Sequence, residues 1–509
     1  SAGDDFTLDF EAAALAGDAD NLSVTISGTG SSATLTLTAD GTANLETLTL
    51  NSTAQANTLT TVTTADVDVT KLVVTGDQAL TISDALSAEI TEVDASAHTG
   101  TTGLTLSAAP GYATGITFKG GSGADAITGT AGKDNITGGA GNDTITMTAL
   151  AATDTIDGGD GVDTISTNQA IASATVLGGV SNVETLTSTG SVTIALSANV
   201  SPTTFNFVDT TDNVLTLDEG YTNATTVILA TSTAADSTDP ADSVVNLANV
   251  DLTVQASTLG LDTELTLTGG SGTDTLNLYL GGNADETLVN SVSGFENFTI
   301  LDNPAGNTAT TLTFGAYNPG TGKNITIDAS AIDATDTANL VIDASSVTAA
   351  TTGKQITYTD GAGATSLTLG QDDDTATMGV GNDTVVGTSG ANTIDMGAGN
   401  DSVTAGTGIE NISGGAGNDT INMGANLTAL DTIDGGEGTD TLITSAAIAN
   451  VTILGGMSNI ETIKYAGAVG ITLADNISAT NFDMTSNDNS TLTLAAGYTN
   501  EANVYLTTS

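Results

Sequence analysis

The sequence contains no cysteine and no tryptophan, and it has a single histidine among 509 residues. The absence of cysteine excludes disulfides, thiolate metal sites and thiol nucleophiles. The lone histidine, His98, excludes an H-E-x-x-H zinc site, and its turn-like surroundings at 97–100 predict a solvated side chain. A glycosidase would need only two carboxylates, but the aromatic residues that stack on sugars amount to 3% of the chain. We therefore predict that the protein is not an enzyme.

Positive charge is scarce as well. The six basic residues are all lysines and face 60 acidic residues, which gives a formal net charge of −54. This charge disfavours nucleic acid as a partner and opposes binding to anionic membranes, and no run of about 18 apolar residues is present to span a bilayer. Because 39% of the residues are hydrophobic, the chain is nevertheless able to fold. We expect counter-ions inside the folded protein, with divalent cations held by carboxylates as the natural candidates.

A nine-residue repeat is the strongest pattern in the chain. It reads G-G-x-G-x-D-x-U-x, where U is a large aliphatic residue. An aliphatic residue at every ninth position is not expected of a linker, so we interpret these segments as folded. The first array has three copies over 120–146, an interruption at 147–157 and a fourth copy at 158–166; a lone repeat lies at 269–277; the second array has six copies over 369–422 and a seventh at 435–443.

Each position of the repeat has a physical role. Glycines at positions one, two and four allow positive φ, so the backbone turns tightly and its carbonyls point at a common centre. The aspartate at position six adds a carboxylate, and positions seven to nine form a short strand whose aliphatic residue faces the core. Two repeats make one coil, so repeats two apart lie on the same side and enclose a cation with six oxygen ligands. Calcium prefers such a ligand set, whereas zinc does not.

This arrangement predicts which acidic residues face one another across calcium. The predicted pairs are Asp125 with Asp143, Asp374 with Asn392, Asp383 with Asp401, Asn392 with Glu410, and Asp401 with Asp419. Because Asn392 carries no charge and Glu410 is longer than aspartate, we expect weaker sites at these two residues. The predicted calcium ligands are Gly121, Gly123, Asp125, Gly132, Asp134, Gly139, Gly141, Asp143 and Asp163 in the first array, Asp274 in the lone repeat, and Asp374, Gly379, Gly381, Asp383, Asn392, Gly397, Gly399, Asp401, Glu410, Gly415, Gly417, Asp419 and Asp440 in the second array.

A longer period overlies the nonapeptides. Residues 138–232 align with 414–509 after a single one-residue insertion, and both copies contain GGAGNDTI, DTIDGG and GYTN. The last aspartate of the repeat precedes a glutamate by 21 residues in both copies, Asp163 to Glu184 and Asp440 to Glu461. A weaker third copy has 22 residues between Asp274 and Glu296. The chain is therefore predicted to be an array of related modules.

Alternation of apolar and polar residues, as at 33–38, predicts short strands with one buried face. We predict an all-β chain, a parallel β-roll or β-solenoid in which nonapeptide repeats alternate with Thr-rich short-strand modules. Because the chain starts at Ser1 without a signal segment, we expect a fragment or a processed product. The predicted modules are 1–119, a Thr-rich β-solenoid segment; 120–166, a calcium-binding β-roll; 167–268, a β-module; 269–368, a β-module opened by the lone repeat; 369–443, a longer calcium-binding β-roll; and 444–509, a β-module that repeats 167–232.

The two arrays resemble the RTX, or haemolysin-type, repeats of proteins that Gram-negative bacteria export by type I secretion. The resemblance implies a right-handed parallel β-roll that folds on several calcium ions outside the cell, and it implies no particular activity. Segments such as 90–96, 328–330 and 343–345, the missing cysteine and the few lysines look like RTX-type surface-layer proteins. That likeness implies a lattice of identical subunits, bridged by calcium and anchored to an outer-membrane glycan by parts outside this fragment.

We therefore predict a secreted cell-surface protein that assembles with copies of itself. The alternative is an RTX adhesin or a biofilm filament, which would share the acidity, the repeats and the dependence on calcium. Adhesins generally repeat whole immunoglobulin-like sandwiches of roughly 100 residues. The modules of this chain vary in length and show no clear sandwich pattern, which favours the lattice.

Overall fold

The chain folds into short parallel strands and divides into two compact units. The first unit comprises Ser1–Ala230 and Thr238–Val250, and the second comprises Thr231–Ser237 and Asp251–Ser509. The structure is a computed structural model that describes residues 5–11, 20–27, 33–40, 45–64, 67–108, 113–171, 173–190, 192–208, 213–229, 243–246, 248–257, 266–279, 285–287, 292–301, 310–315, 317–320, 322–333, 340–347, 355–448, 451–466, 471–473, 479–484, 491–494, 498 and 501–505.

The first unit is a stack of strands of two to eight residues. Its described strands are β1 (Phe6–Glu11), β2 (Asn21–Ser27), β3 (Ala33–Asp40), β4 (Thr47–Thr53), β5 (Asn57–Thr63), β6 (Lys71–Gly76), β7 (Leu80–Ile82), β8 (Glu92–His98), β9 (Leu104–Ser107), β10 (Thr117–Lys119), β11 (Ala126–Thr128), β12 (Asn135–Ala140), β13 (Thr144–Met147), β14 (Thr155–Asp160), β15 (Thr164–Thr167), β16 (Val180–Ser181), β17 (Thr185–Ser188), β18 (Thr193–Leu196), β19 (Thr204–Phe207), β20 (Val214–Leu217), β21 (Thr225–Leu229) and β22 (Ser243–Asn246).

Successive strands of the first unit alternate between parallel sheets, so two strands make each coil of a solenoid. The odd-numbered strands from β1 to β21 stack in one sheet. The even-numbered strands from β2 to β16 stack in a second sheet, and β18, β20 and β22 form a third. A 3₁₀ turn, Ala174–Leu177, lies just before β16.

The second unit is built in the same way. Its described strands are β23 (Leu252–Ser257), β24 (Thr266–Thr268), β25 (Thr275–Tyr279), β26 (Asp285–Thr287), β27 (Val292–Ser293), β28 (Asn297–Leu301), β29 (Thr310–Thr313), β30 (Ile325–Asp328), β31 (Leu340–Asp343), β32 (Ile356–Thr359), β33 (Thr365–Thr368), β34 (Thr375–Thr377), β35 (Thr384–Val386), β36 (Thr393–Asp395), β37 (Ser402–Thr404), β38 (Asn411–Ser413), β39 (Thr420–Gly424), β40 (Thr432–Asp434), β41 (Thr441–Thr444), β42 (Met457–Ser458), β43 (Thr462–Tyr465), β44 (Ile471–Leu473), β45 (Asn481–Asp483), β46 (Leu492–Leu494) and β47 (Asn503–Tyr505).

Two long parallel sheets run through the second unit. One contains β23, β25, β28 and then every even-numbered strand from β30 to β42. The other contains β26 and every odd-numbered strand from β29 to β47. The pairs β24–β27 and β44–β46 lie outside these sheets, and Val451–Leu454 forms a 3₁₀ turn.

The strand register confirms the predicted all-β parallel solenoid. Ala126 pairs with Thr144 and Thr375 pairs with Thr393, so repeats two apart lie side by side and one coil holds two repeats. The aliphatic residue at position eight faces the core, where stacking neighbours exclude it from water. The buried position-eight residues are Ile127, Ile136, Ile145, Ile165, Leu276, Ala376, Val385, Ile394, Val403, Ile412, Ile421 and Leu442.

Strands are the only regular elements in the described ranges apart from the two 3₁₀ turns. No helix in those ranges is long and apolar enough to cross a membrane.

His98 differs from its prediction. Its side chain is buried rather than solvated, and its Nε2 lies 2.8 Å from the carbonyl oxygen of Gln78. The next coil covers it, because the backbone N of Ser122 donates to the His98 carbonyl at 3.1 Å and Gly121 packs against its Cβ. The turn-like sequence at 97–100 suggested an exposed side chain, but in the folded chain the first nonapeptide repeat covers it.

Candidate calcium sites

The residue at position six of each repeat, which is acidic except at Asn392, is buried where the turn enters the strand. In the first array these residues are linked along the stack by their own backbone. The N–H of Asp125 donates to Oδ1 of Asp143, and that of Asp143 to Oδ1 of Asp163, each at 2.7 Å. The N–H of Asp163 donates to Oε2 of Glu184, also at 2.7 Å. We call these four residues the first ladder.

The second array contains a longer series of the same kind. The N–H of Asp383 donates to Oδ1 of Asp401 at 2.7 Å, and that of Asp401 to Oδ1 of Asp419 at 2.8 Å. Asp419 donates to Asp440, and Asp440 donates to Oε2 of Glu461, both at 2.8 Å. These five residues form the aspartate ladder, with one acidic residue on each successive coil.

A mixed ladder lies on the other sheet of the second array and contains Asp374, Asn392, Glu410 and Asp431. The N–H of Asp374 donates to Oδ1 of Asn392 at 3.1 Å, and that of Glu410 to Oδ1 of Asp431 at 2.9 Å. Between them, Nδ2 of Asn392 lies 3.4 Å from Oε1 of Glu410. The structure thus places all five predicted pairs of position-six residues next to one another.

Sequence reasoning missed Asp154 and Asp431, which accept the N–H of a position-six residue in the same way. The N–H of Asp134 donates to Oδ1 of Asp154 at 2.9 Å, although Asp154 lies in the interruption at 147–157. Asp431 occupies the equivalent place in the second array. The interruption therefore lengthens one turn by two residues, from a spacing of 18 to 20, without breaking the stack. The sequence feature that could have identified Asp154 and Asp431 is the D-T-I triplet, which both share with Asp143.

For the glutamates that end the first ladder and the aspartate ladder, the sequence indicated a recurrent spacing but not their contacts. Glu184 and Glu461 each accept the N–H of the last repeat aspartate, and Glu296 does the same for Asp274 at 2.7 Å. The spacing of 21 residues does not by itself mark the end of a ladder, because Asp419 and Asp440 have the same spacing inside the aspartate ladder. The change from aspartate to glutamate marks the end.

Position five carries a second, exposed ladder in the aspartate-ladder turns. The N–H of Asn400 donates to Oδ1 of Asn382 at 2.7 Å, and that of Asn418 to Oδ1 of Asn400 at 2.8 Å. Thr439 continues the series by donating to Asn418 at 2.8 Å. This explains the recurrent G-N-D triplet, in which asparagine ties neighbouring turns together beside each buried aspartate.

The glycines have two different roles. Positive φ occurs at positions two and four, as at Gly397 (+75°) and Gly399 (+156°), where the turn presses on the coil before it. The prediction of positive φ at position one is wrong. A Cβ added there would lie 2.2 Å from Oδ2 of Asp143 at Gly138 and 2.5 Å from Oδ2 of Asp125 at Gly120. Glycine at position one therefore keeps space free beside the carboxylate.

Most ladder aspartates retain one oxygen that has no hydrogen-bond partner in the part of the chain that the structure describes. This oxygen is buried, and the other oxygen of the same carboxylate accepts a backbone N–H. Leaving a buried carboxylate oxygen without a donor is costly. The oxygens concerned are Oδ2 of Asp143, Asp163, Asp374, Asp383, Asp401, Asp419 and Asp440, and Oε2 of Glu410 has the same property.

Burial also disfavours the charged form of these side chains. The pKa of Asp143 and that of Asp383 are raised to about 7, chiefly by burial and in part by the charge of neighbouring carboxylates. The pKa of Asp419 is raised to about 6 for the same reasons. Asp374 of the mixed ladder is raised to about 7, chiefly by burial. A bound cation would reverse this effect, because it favours ionised carboxylates.

The residues present fit calcium. Every candidate donor is oxygen, from position-six carboxylates and from carbonyls of glycine-rich turns, and hard oxygen donors are what calcium prefers. The described residues contain no group of three or more acidic or histidine side chains arranged around one point. Calcium would therefore be held mainly by backbone carbonyls, with one or two ladder carboxylates per ion. We expect it beside the unpartnered Oδ2 atoms.

Comparison with known families agrees with this geometry. The family model of the RTX calcium-binding nonapeptide repeat (4 copies) matches residues 119–146, 146–169, 377–409, 404–422 and 430–446. The chain is an RTX repeat protein. Its RTX matches cover most of both arrays and leave out the lone repeat at 269–277. No curated protein and no solved structure matches the chain.

Proposed function

We propose that this RTX repeat protein is a calcium-dependent extracellular structural protein that assembles with copies of itself into a surface layer. The observation that carries the proposal is the set of buried carboxylate ladders, each with oxygens that lack a donor. RTX repeats are calcium-binding and typically occur in secreted proteins, which fits a protein that needs a cation to close its coils.

Several calcium ions would bind, one between successive turns of each ladder. The first ladder and the aspartate ladder supply the carboxylates, and position-two and position-four glycines allow the turns that present the carbonyls. Without calcium, 60 acidic residues in one chain repel one another and hold the turns open. At the millimolar calcium found outside cells, sites of the weak affinity typical of extracellular modules become occupied.

A structural role is favoured over catalysis by the way in which the carboxylates are used. Each ladder residue is bonded to the backbone of the next coil, so its position serves the stack rather than a substrate cleft. The RTX β-solenoid is itself a structural fold that is not typical of enzymes. Position-six residues recur at every coil with the same surroundings, which suits a scaffold whose parts are equivalent.

Assembly is supported by the acidic outer surface. Outward-facing strand positions carry further carboxylates, such as Asp395 on β36 and Asp434 on β40, which share one column of the sheet. Copies with a net charge of −54 each would repel one another without cations. Calcium shared between surface carboxylates of neighbouring copies would turn this repulsion into adhesion.

Electron microscopy of the purified chain with and without millimolar calcium tests the proposal. We expect crystalline sheets in calcium and dispersed, partly unfolded particles after chelation, with a matching loss of β signal in circular dichroism. Magnesium at the same concentration is the control, because it demands a tighter octahedral site. Unchanged particle size and circular dichroism after chelation would refute the proposal. Isolated rods that bind cells would favour the adhesin or filament alternative.

A further inference from the structure

The lone repeat at 269–277 holds its position-six aspartate in the way that the first array holds Asp125. Oδ1 of Asp274 accepts the N–H of Leu252 at 2.8 Å, and Oδ2 accepts the N–H of Gly270 at 2.8 Å. The N–H of Asp274 donates to Oε2 of Glu296 at 2.7 Å. The same pair of groups ends the two other ladders, at Asp163 with Glu184 and at Asp440 with Glu461.

A lysine distinguishes the lone repeat from these two ladder ends. Nζ of Lys323 lies 2.6 Å from Oε1 of Glu296. It also donates to the carbonyl oxygen of Gly272 at 2.5 Å, and Gly272 is position four of the repeat. The ammonium group therefore lies between a turn carbonyl and the carboxylate that ends the ladder. Burial raises the pKa of Asp274 to about 6, and the positive charge of Lys323 acts against this rise.

The ladder end at Glu184 has no ion pair with a lysine among the described residues. The N–H of Thr204 donates to the Glu184 carbonyl at 3.0 Å, as that of Thr326 does to the Glu296 carbonyl at 2.8 Å. The Ser201 hydroxyl, which accepts the N–H of Val183 at 2.9 Å, occupies the place of the Tyr317 hydroxyl, which accepts the N–H of Phe295 at 2.7 Å. Lys323 is therefore an addition to the lone repeat.

We propose that Lys323 is a tethered cation that replaces calcium at the lone repeat, so that this coil closes without metal. The ammonium contacts the same kinds of oxygen, a turn carbonyl and a buried carboxylate, that calcium would contact at an RTX turn. It is one of only six lysines in the chain. Asp274, which the sequence predicts as a calcium ligand, is then not one in the wild-type protein.

This inference rests on the proposed calcium function, because a substitute for calcium matters only where other repeats need the ion. It makes the lone repeat a metal-independent coil within a calcium-dependent protein. It also predicts that removing the lysine charge turns the site into a calcium site, since the carbonyl of Gly272 and the carboxylates of Asp274 and Glu296 remain.

Hydrogen exchange of the full chain, with calcium and with chelator, tests the inference. In the wild type we expect residues 266–279 to exchange at the same rate in both conditions, whereas residues 158–171 should exchange on the order of tenfold faster in chelator. In Lys323→Met, which keeps the aliphatic stem, 266–279 should become sensitive to chelator. Equilibrium dialysis should then find one more bound calcium per chain.

A control variant makes the comparison specific. Lys71→Met removes a lysine that pairs with Glu92 on the face of a sheet at 2.8 Å, away from any repeat, and should leave calcium binding unchanged.

The inference is overturned if wild-type 266–279 responds to chelator as strongly as 158–171 does. It is also overturned if Lys323→Met gains neither calcium nor sensitivity to chelator. Should that variant fail to fold in either condition, the wild-type exchange decides. If neither 158–171 nor 377–422 responds to calcium, the proposed function fails and the inference fails with it.

Discussion

The two ladders of the second array solve the same problem in different ways. Both stack one buried side chain per coil, on opposite sheets of one solenoid. In the aspartate ladder, Asp383, Asp401 and Asp419 each keep an oxygen without a donor. In the mixed ladder, Asn392 carries no charge and directs its amide at Glu410, and Oε1 of Glu410 also accepts the N–H of Gly406 at 3.1 Å. Oδ2 of Asp374 and Oε2 of Glu410 also lack a donor within the described residues. Both ladders therefore leave oxygens for a cation, and the mixed ladder in addition supplies one donor of its own.

We expect the aspartate ladder to contribute more to the dependence on calcium than the mixed ladder does. An internal amide donates to one oxygen of a buried carboxylate at any calcium concentration, so it stabilises the fold but takes the place of a metal ligand. A ladder made only of acidic residues has no such donor and is stabilised more by the ion.

The largest expected effect comes from Asp401→Ala, which breaks the middle of the aspartate ladder. The variant removes a carboxylate next to both Asp383 and Asp419, and it leaves the N–H of Asp383 without its acceptor. We expect fewer bound calcium ions and a loss of about 3 kcal/mol in the free energy of unfolding in calcium. Equilibrium dialysis and urea unfolding measure these two quantities.

Asp77→Ala is the matched control, because Asp77 is an exposed aspartate in the bend after β6, outside both arrays. It removes the same charge without touching either ladder, so calcium content and stability should stay near wild type. Equal losses in the two variants would show that overall charge, rather than the ladder, governs calcium binding.

Acid should substitute for calcium in the metal-free protein. The folded-state pKa of Asp383 is raised to about 7 from an ordinary value near 3.8, so the folded state binds more protons than the unfolded state between these values. Metal-free stability should therefore be greatest below about pH 4 and should fall as the pH rises to about 7. Urea unfolding of chelator-treated protein at pH 5 and pH 8 tests this sign.

The variant Asp383→Asn separates the ladder from general charge repulsion. It should flatten part of the pH dependence because the amide does not titrate. A metal-free protein that becomes more stable as the pH rises from 5 to 8 would contradict the assignment.

Asn392→Asp should convert the mixed ladder towards the aspartate ladder. The substitution restores a carboxylate at position six but removes the amide that donates to Glu410. We expect tighter calcium binding, by about tenfold at this site, and a lower stability in chelator. Calcium titrations followed by circular dichroism should show a sharper transition. A variant that is more stable than wild type in chelator would contradict the donor role of Asn392.

The smallest effect is expected from Asn400→Ala in the exposed position-five ladder. The variant removes the oxygen that accepts the N–H of Asn418, and water replaces it. We expect a loss of about 1 kcal/mol that is the same with calcium and with chelator. A change in calcium stoichiometry would mean that position five takes part in the metal site.

The regular part of this structure could be predicted from the sequence because the repeat encodes it directly. An aliphatic residue every ninth position fixes which side chains face the core, as Ile394 and Ile412 show. The spacing of 18 between Asp383 and Asp401 fixes which carboxylates meet. Calcium as the ligand followed from the same pattern.

The irregular part could not be predicted because strand pairing, rather than sequence spacing, maintains the stack. Asp154 meets Asp134 although the interruption shifts its spacing, since the extra residues enlarge a turn. Lys323 reaches Gly272 from 51 residues away, a distance that no local pattern encodes. The burial of His98 depends on the coil that covers it. Glycine at position one leaves room for the neighbouring carboxylate and does not adopt positive φ. Only the folded structure shows that contact.

The most direct test of the central claim is a calcium titration of the metal-free chain in which bound calcium and the β signal of circular dichroism are measured at each point. The account predicts that bound calcium and the β signal rise together and that more than one calcium ion binds per chain. It also predicts that magnesium does not replace calcium. A full β signal before any calcium is bound, with no further change on saturation, would contradict the claim that calcium closes the buried carboxylate ladders.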